Sequence, residues 1–265
     1  MIFSRLRSAI REQNWFGVLL EIAIVVLGVA IGFQVTSWGQ ARADRRAEHI
    51  YLRQLAADLS ATEMTIASVD RQLAPSEAAA RQLYDQFRSG NPLPTDSILV
   101  LISRSTVLLD LNPILGTTEA LVATGDLALI RNDSLRAAIP YYLEQQRSLK
   151  EMRAAVSQSL WEAVQRLGEQ VDMADADAAL TAAGGVVLVP RPQAAFDATG
   201  AATTSPFPLD ARQFLADAEN YHAVYWLHHM KIQAAMLRDA VLDLAQNLHR
   251  QVEAELGFQG GFMGR

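Results

Sequence analysis

One stretch near the N-terminus constrains the fold of this 265-residue chain most strongly: residues 15–38 are apolar almost throughout. They read WFGVLLEIAIVVLGVAIGFQVTSW, with Glu21 as the one ionisable side chain. As a helix this stretch covers roughly 36 Å, enough to cross a bilayer core of about 30 Å with some tilt. Trp15 and Trp38 stand at its two ends, where aromatic side chains anchor helices in the membrane interfaces. The pattern predicts a single transmembrane helix.

The charges beside this stretch bear on its orientation. Three arginines precede it and three more follow within eight residues, so the local charge difference is small. A short basic leader before a first hydrophobic segment usually stays in the cytoplasm, whereas long domains cross the membrane largely regardless of their charge. We therefore expect a bacterial inner-membrane protein with residues 1–14 in the cytoplasm, residues 39–256 in the periplasm and residues 257–265 as a flexible tail.

A cleaved signal peptide is the alternative interpretation of the same segment. Residues 41–43 read Ala-Arg-Ala, which has the small-residue form of a cleavage site. The hydrophobic region of a signal peptide is about 7–15 residues long, however, and this stretch is much longer. The length therefore favours a membrane anchor that stays attached to the domain.

The composition of the region after the span excludes several classes of function. Of the chain's 23 basic and 29 acidic residues, 20 and 27 lie beyond Trp38, so this region is acidic. A nucleic-acid partner is not expected, because phosphates require a basic surface. The chain has no cysteine, which excludes disulfides, thiol catalysis and cysteine metal sites.

Apolar residues after the span recur at intervals of three and four, which predicts an all-α domain. Residues 39–51 hold no strong breaker, so the membrane helix should continue into the first stripe, with a break at Pro75. Gly125 is expected to end a short helix opened by Thr118 and Glu119, and Asn132 or Asp133 to cap a long one. Helical stripes cover residues 52–73, 135–171 and 223–248.

The last helix, predicted over residues 210–256, carries the most regular spacing in the chain. Its apolar residues alternate at steps of four and three, which requires a neighbouring helix at a shallow crossing angle. The small and proline-bearing segment 172–209 is expected to be a long loop. The sequence thus predicts an antiparallel extracytoplasmic helical bundle that continues from the anchor. The heptad positions are Ala223, Leu227, Met230, Ala234, Leu237, Val241, Leu244 and Leu248.

Three segments together resemble an uncharacterised bacterial membrane-anchored family, catalogued as domain of unknown function 6090. They are LLEIAIVVLGVAIGFQVTSW, TTEALVATGDLALIRNDSLRAAIPYYLEQQ, and the closing helix from QFLADAENYHAVYWLHH onward. Glu21 and Trp38 fall on the anchor motif of that family, and Gly125 falls on its middle motif. Residues 172–209 depart from the family's pattern. The resemblance implies a membrane helix followed by an extracytoplasmic helical region, and it implies no activity.

One face of the anchor has the composition of a helix-packing surface. Gly28 and Gly32 form a small-xxx-small pair, and Glu21 lies seven residues before Gly28 on the same face. A carboxylate inside a bilayer is costly unless it is protonated, paired or facing protein. We expect this face to contact another membrane protein or a second copy of the chain. In the alternative interpretation, Glu21 is protonated or reaches the lipid headgroups, and the spacing of the glycines has no function.

No motif in the sequence indicates catalysis, and no cofactor or metal is expected. His222 and His229 share a helix face at a spacing of seven, whereas zinc sites on helices prefer a spacing of four. Asp172, Asp175 and Asp177 lack the glycine and terminal glutamate of a calcium loop, so a solvated loop is predicted there.

The sequence therefore favours a non-enzymatic membrane protein whose bundle binds or scaffolds envelope proteins. A ligand-sensing or regulatory bundle acting through a partner membrane protein is the alternative. A pocket with convergent polar groups would favour the sensor, which needs a partner because residues 1–14 are too short to transmit a signal.

Overall fold

The computed structural model describes residues 15–187, 205 and 207–263, and within these ranges every regular element is helical. The prediction of an all-α protein is confirmed. A short 3₁₀ helix, Asp126–Leu129, lies between the third and fourth α-helices. The α-helices are α1 (Trp15–Gln86), α2 (Thr95–Ser105), α3 (Gly116–Thr124), α4 (Asp133–Gln170), α5 (Met173–Ala182), α6 (Ala211–Ala216) and α7 (Ala218–Met263).

The chain divides into two compact units, Met1–Leu52 and Arg53–Arg265. In the first unit every described side chain over residues 19–43 is exposed, including Phe33 at 75% and Trp38 at 65%. Among the described residues, one helix has the length and apolar composition to cross a membrane, and it is α1. A continuous apolar surface of this kind is not stable in water, which supports membrane association. The predicted leader 1–14 and the side chain of Trp15 lie outside the described residues.

Two apolar clusters among the described residues belong to the core of the second unit. One joins α1, α2, α4, α5, α6 and α7 through residues such as Leu83, Ile102, Leu160 and Leu227. The other joins α1, α4 and α7 and includes Leu149, Val241 and Leu73.

Helices α4 and α7 run in opposite directions along their contact. Leu160 shares a cluster with Leu227, and Leu149 shares one with Val241. The Asn132 side chain at the start of α4 also donates to Glu255 near the end of α7 over 2.8 Å. An antiparallel arrangement of the whole domain stays a prediction.

The end of α3 and the start of α4 lie where the sequence predicts them. Gly125 follows α3 in the left-handed conformation, with φ of 81°, which glycine adopts without a Cβ clash. The Asn132 side chain accepts from the Leu135 amide and caps α4.

The prediction of a break at Pro75 is wrong, because α1 continues through it to Gln86. A proline inside a helix costs about 3 kcal/mol through its missing N–H and its ring. Leu73 and Ser76, on the two sides of Pro75, are buried inside the domain, and the packing of these turns outweighs that local cost.

Two further boundaries differ from those predicted for the C-terminal half. The expected loop 172–209 contains α5, because Asp172 caps an alanine-rich segment whose Ala176 and Leu180 are buried. The expected single helix 210–256 is divided at Asp217, whose carboxylate accepts from Glu219 and Asn220 amides and starts α7 anew. Helix α7 then runs to Met263, past the predicted end at Leu256.

Candidate functional site

A layer of charged and polar side chains lies between the two apolar clusters described above. On α1 it consists of Ser76 and Glu77, between Leu73 of one cluster and Ala79 of the other. On α4 it is centred on Arg153, between Leu149 and Leu160, and on α7 it holds Lys231 and Arg238, between Leu227 and Val241. Three buried cations inside a helical domain are unusual, because a charge in the interior is costly unless it is paired.

A cavity of about 410 Å³ lies in this layer. Its walls come from α1, α4, α7 and the extended segment that follows α2. Four cationic side chains and two carboxylates contribute to it, and the exposed Asp110, Asn112, Lys150 and Ser157 mark its solvent side. The lining residues used below are Leu73, Glu77, Val107, Leu108, Asp110, Lys150, Arg153, Leu160, Lys231, Ala234 and Arg238.

Arg238, in the wall of this cavity, forms ion pairs with two carboxylates. Its Nε lies 2.7 Å from Asp70 Oδ1 and its Nη2 lies 2.5 Å from Glu77 Oε1. Burial acts to lower the pKa of Arg238, but the hydrogen bonds and charges of the two carboxylates together raise it above its ordinary value. Asp70 and Glu77 are seven residues apart on α1, so they meet the guanidinium from one helix face.

Lys231 connects three parts of the domain. Only 4% of this residue is exposed, and its Nζ donates to Ser76 Oγ over 2.8 Å and to the Val107 carbonyl over 3.0 Å. Burial lowers its pKa to about 8, with Glu77 acting to raise that pKa and Arg238 to lower it. A lysine ammonium has three N–H donors, so one donor remains for another acceptor.

Arg153 differs from both, because its buried donors have no acceptor in the described part of the chain. It is 9% exposed, and its Nε and Nη1 atoms have no hydrogen-bond partner. Burial lowers the pKa of this guanidinium, and the carboxylate of Asp110 acts in the opposite direction. Buried donors are normally satisfied, so two orphaned atoms on one guanidinium indicate an acceptor supplied from elsewhere.

The heptad positions predicted for the last helix do not include these cations, because that pattern was built from apolar residues alone. The most buried positions of the helix include Lys231 and Arg238, whereas the predicted neighbours Met230 and Leu237 are only partly buried. The sequence spacing does indicate their burial. Lys231 follows Val224 by seven residues, Arg238 follows Lys231 by seven, and Val241 follows Arg238 by three, so all four lie on one helix face. Arg153 likewise follows Leu149 at four residues on the buried face of α4.

The anchor residues singled out by sequence lie together on α1, as their spacing requires. Glu21, Gly28 and Gly32 are exposed, and a Cβ added at either glycine would have no atom within 4 Å. The face is therefore open, and its role as a packing surface stays a prediction. Trp38 is exposed at the other end of the predicted span.

The histidines of α7 take part in ring contacts. His228 stacks on Tyr84 of α1 with ring centroids 5.3 Å apart, and His229 stacks on Tyr225 at 5.8 Å. No group of three or more His, Asp or Glu side chains in the described ranges is placed to hold a metal ion.

The three aspartates expected in a solvated loop have structural partners. Asp172 accepts from the Ala174 amide at the start of α5, and Asp175 accepts from the Ser205 amide over 2.9 Å. Asp177 is buried and accepts from Ser103 Oγ over 2.6 Å, which joins α5 to α2. The loop prediction is wrong for Asp175 and Asp177, because both lie on α5, which packs on the domain.

In the described ranges the chain is all-α, with one helix able to cross a membrane and a helical domain that contains a cationic cavity. Comparison of the chain with models of protein families, with curated proteins and with solved structures finds no match. The similarity to domain of unknown function 6090 therefore stays a prediction, and the function has to be argued from the cavity and the anchor.

Proposed function

We propose that this chain is a single-pass inner-membrane protein whose periplasmic helical domain binds a small ligand and regulates a partner membrane protein. In this proposal the protein is an accessory or sensor subunit and has no enzymatic activity of its own. The observation that carries it is the cavity between α1, α4 and α7, with its converging polar groups.

The size and lining of the cavity support ligand binding. Small-molecule sites have volumes of about 300–1,000 Å³ and combine apolar walls with a few placed polar groups. Here Leu73, Leu108 and Leu160 supply apolar wall, and Arg153 and Lys231 supply buried donors. The exposed residues at its solvent side give a small molecule access from water.

The cost of the polar layer supports the same function. Apolar residues of similar volume at the positions of Arg153 and Lys231 would fill the core and remove the desolvation penalty of two charges. Proteins commonly retain such costly groups where a site needs them. A scaffold that acts only through its outer surface has no need of cations in its core.

The test is ligand-induced stabilisation of the full-length protein in lipid nanodiscs. A panel of small neutral, anionic and cationic compounds is screened by thermal unfolding, since a ligand at 100 times its Kd stabilises by about 2.7 kcal/mol. Ala154 lines the cavity and Ala155 does not, so Ala154→Trp should abolish the stabilisation and Ala155→Trp should leave it intact. If no compound of any class stabilises the parent protein, the ligand-binding function is refuted.

A constitutive scaffold that binds other membrane proteins through its anchor is the second candidate. Its support is the open face of α1, where Glu21, Gly28 and Gly32 are exposed and neither glycine has a neighbour. Small residues of this spacing let helix backbones approach closely. The same face would serve the sensor, because a sensor also needs contact with its partner.

Substitutions in the anchor test this contact. Gly28→Leu and Gly32→Leu should each abolish co-purification or self-association, measured by cross-linking in native membranes. Ala30→Leu is the matched control, since Ala30 is two residues from each glycine and lies on the opposite side of the helix. Glu21→Gln keeps the shape and weakens association only if the carboxylate is ionised against a cation. Wild-type cross-linking in both glycine variants would refute the packing face.

The proposed topology has its own test. Alkaline phosphatase fused after Arg265 should be active, and the protein should stay with membranes after an alkaline wash. An inactive fusion, with a cytoplasmic reporter active at the same position, would refute the periplasmic location. A soluble form beginning near Asp44 would show that the segment is a cleaved signal.

A further inference from the structure

The unpartnered donors of Arg153 belong to a side chain in the wall of the cavity. Both orphaned atoms, Nε and Nη1, belong to a residue that is nine-tenths buried and lines the cavity. A guanidinium is a planar fork that cannot lose its proton at physiological pH, so its N–H groups require acceptors. A neutral core residue would create no such requirement.

The other charges near the cavity leave this requirement unmet. Glu77 is already bonded to Arg238, and Asp110 is exposed to solvent and accepts from the Leu111 amide over 2.8 Å. Lys150 adds a further cation at the exposed side, and Lys231 has a donor to spare beyond its two bonds. The wall therefore favours a negative group, and a cationic ligand would be repelled.

We propose, on the basis of the ligand-binding function above, that the cavity binds a small organic carboxylate whose negative group accepts hydrogen bonds from Arg153. The carboxylate accepts charge-assisted hydrogen bonds from the guanidinium, with Lys231 as a further donor. The apolar body of the ligand packs on Leu73, Leu108 and Leu160, which contribute apolar surface to the cavity wall. An inorganic anion has no such body and leaves this wall unfilled.

The experiment measures binding to the full-length protein in lipid nanodiscs by isothermal titration calorimetry. The probes are hexanoate, its neutral isostere hexanamide and inorganic phosphate. We expect hexanoate to bind at least tenfold more tightly than either of the other two. Hydrogen bonds to a charged group are the stronger kind, so Arg153→Met should lower the hexanoate affinity by at least tenfold. Arg153→Lys keeps the charge without the fork and should give an intermediate affinity.

Arg147→Met is the matched control, because Arg147 lies on α4 six residues earlier and is exposed outside the cavity. It should bind hexanoate as the parent does. If Arg153→Met fails to fold, Lys150→Met provides a second variant, and it should weaken hexanoate binding without changing hexanamide binding.

The outcomes separate this inference from the proposed function. Equal binding of hexanoate and hexanamide, or unchanged hexanoate affinity in Arg153→Met, overturns the carboxylate site and leaves a small-molecule site in place. Phosphate binding as tight as that of hexanoate overturns the role of the apolar wall. Failure of hexanoate to bind, while another compound of the wider panel binds, overturns the carboxylate site alone. If hexanoate, hexanamide and every neutral, anionic and cationic compound of the panel fail to bind, both the inference and the ligand-binding function are refuted.

Discussion

Arg238 and Arg153 are two arginines of nearly equal burial, 6% and 9% exposed, in opposite electrostatic situations. Arg238 on α7 is paired with Asp70 and Glu77 of α1. Arg153 on α4 has two donor atoms without any partner in the described chain. Both side chains line the same cavity, so the difference is confined to one small region of the domain.

Burial alone does not assign a role to a charged side chain. A buried cation with two carboxylates is part of the structure, because removing it leaves both carboxylates without their partner. A buried cation with orphaned donors weakens the empty domain and becomes favourable when an acceptor arrives. The two arginines should therefore respond in opposite ways to the same substitution.

The largest effect is expected for Arg238→Met, which should lower the free energy of unfolding by about 2–3 kcal/mol. Breaking a buried ion pair costs about 3–5 kcal/mol, and the value is lower here because Asp70 and Glu77 are 40% and 31% exposed. Chemical denaturation of the full-length protein measures the loss. Arg136→Met is the control, since its pair with Asp133 is exposed and should contribute less than about 1 kcal/mol. Equal losses in both variants would contradict the structural role of Arg238.

The next largest effect is the contribution of Lys231 to the pH dependence of the free energy of unfolding. Because burial lowers its pKa to about 8, the unfolded chain binds more protons than the folded one between pH 8 and 10.5. Stability should therefore rise with pH from this group, by roughly 2 kcal/mol between pH 8 and 10. Tyr142 has the opposite effect above pH 10. Burial raises its pKa to about 12, so the folded chain binds more protons there and the free energy of unfolding falls as the pH rises.

Two variants isolate the contribution of Lys231. Lys231→Met should remove this rise in the free energy of unfolding, whereas Lys150→Met, at an exposed site, should keep it. Identical pH profiles for the parent and Lys231→Met would show that the lysine is not desolvated in the folded domain.

A smaller effect of opposite sign is expected for Arg153→Met in the absence of ligand. The substitution removes a desolvated charge with unpaired donors and should raise the free energy of unfolding by about 1 kcal/mol. Urea denaturation measures the change against Arg147→Met, which should stay within about 0.5 kcal/mol of the parent. A loss comparable to that of Arg238→Met would show that the Arg153 guanidinium supports the fold.

Features with a local cause were predictable from the sequence. Gly125 ends α3 because its left-handed conformation needs no neighbour to specify it, and Asn132 caps α4 by bonding within one turn. The helical class also follows from local periodicity. The break predicted at Pro75 is wrong because tertiary packing of Leu73 and Ser76 outweighs the local preference.

The candidate site was less accessible to sequence analysis because its groups come from distant segments. The separation between Arg238 and its partner Asp70 is 168 residues, and no local pattern records such a pairing. The spacing of seven between Asp70 and Glu77, matched by that between Lys231 and Arg238, was visible but was not sought among charged residues. The unpartnered state of Arg153 can be seen only when the surrounding atoms are placed.

The most direct measurement is the NMR signal of the arginine Nε–H groups in the full-length protein, labelled with ¹⁵N-arginine and held in lipid nanodiscs. The signals of Arg153 and Arg238 are assigned by substitution and followed as hexanoate is added. We expect the Arg153 signal to shift, because its free donor gains an acceptor, and the Arg238 signal to shift much less, because its Nε is bonded to Asp70. An unchanged Arg153 signal at saturating hexanoate, or an equal response of both arginines, would show that Arg153 does not bind the carboxylate.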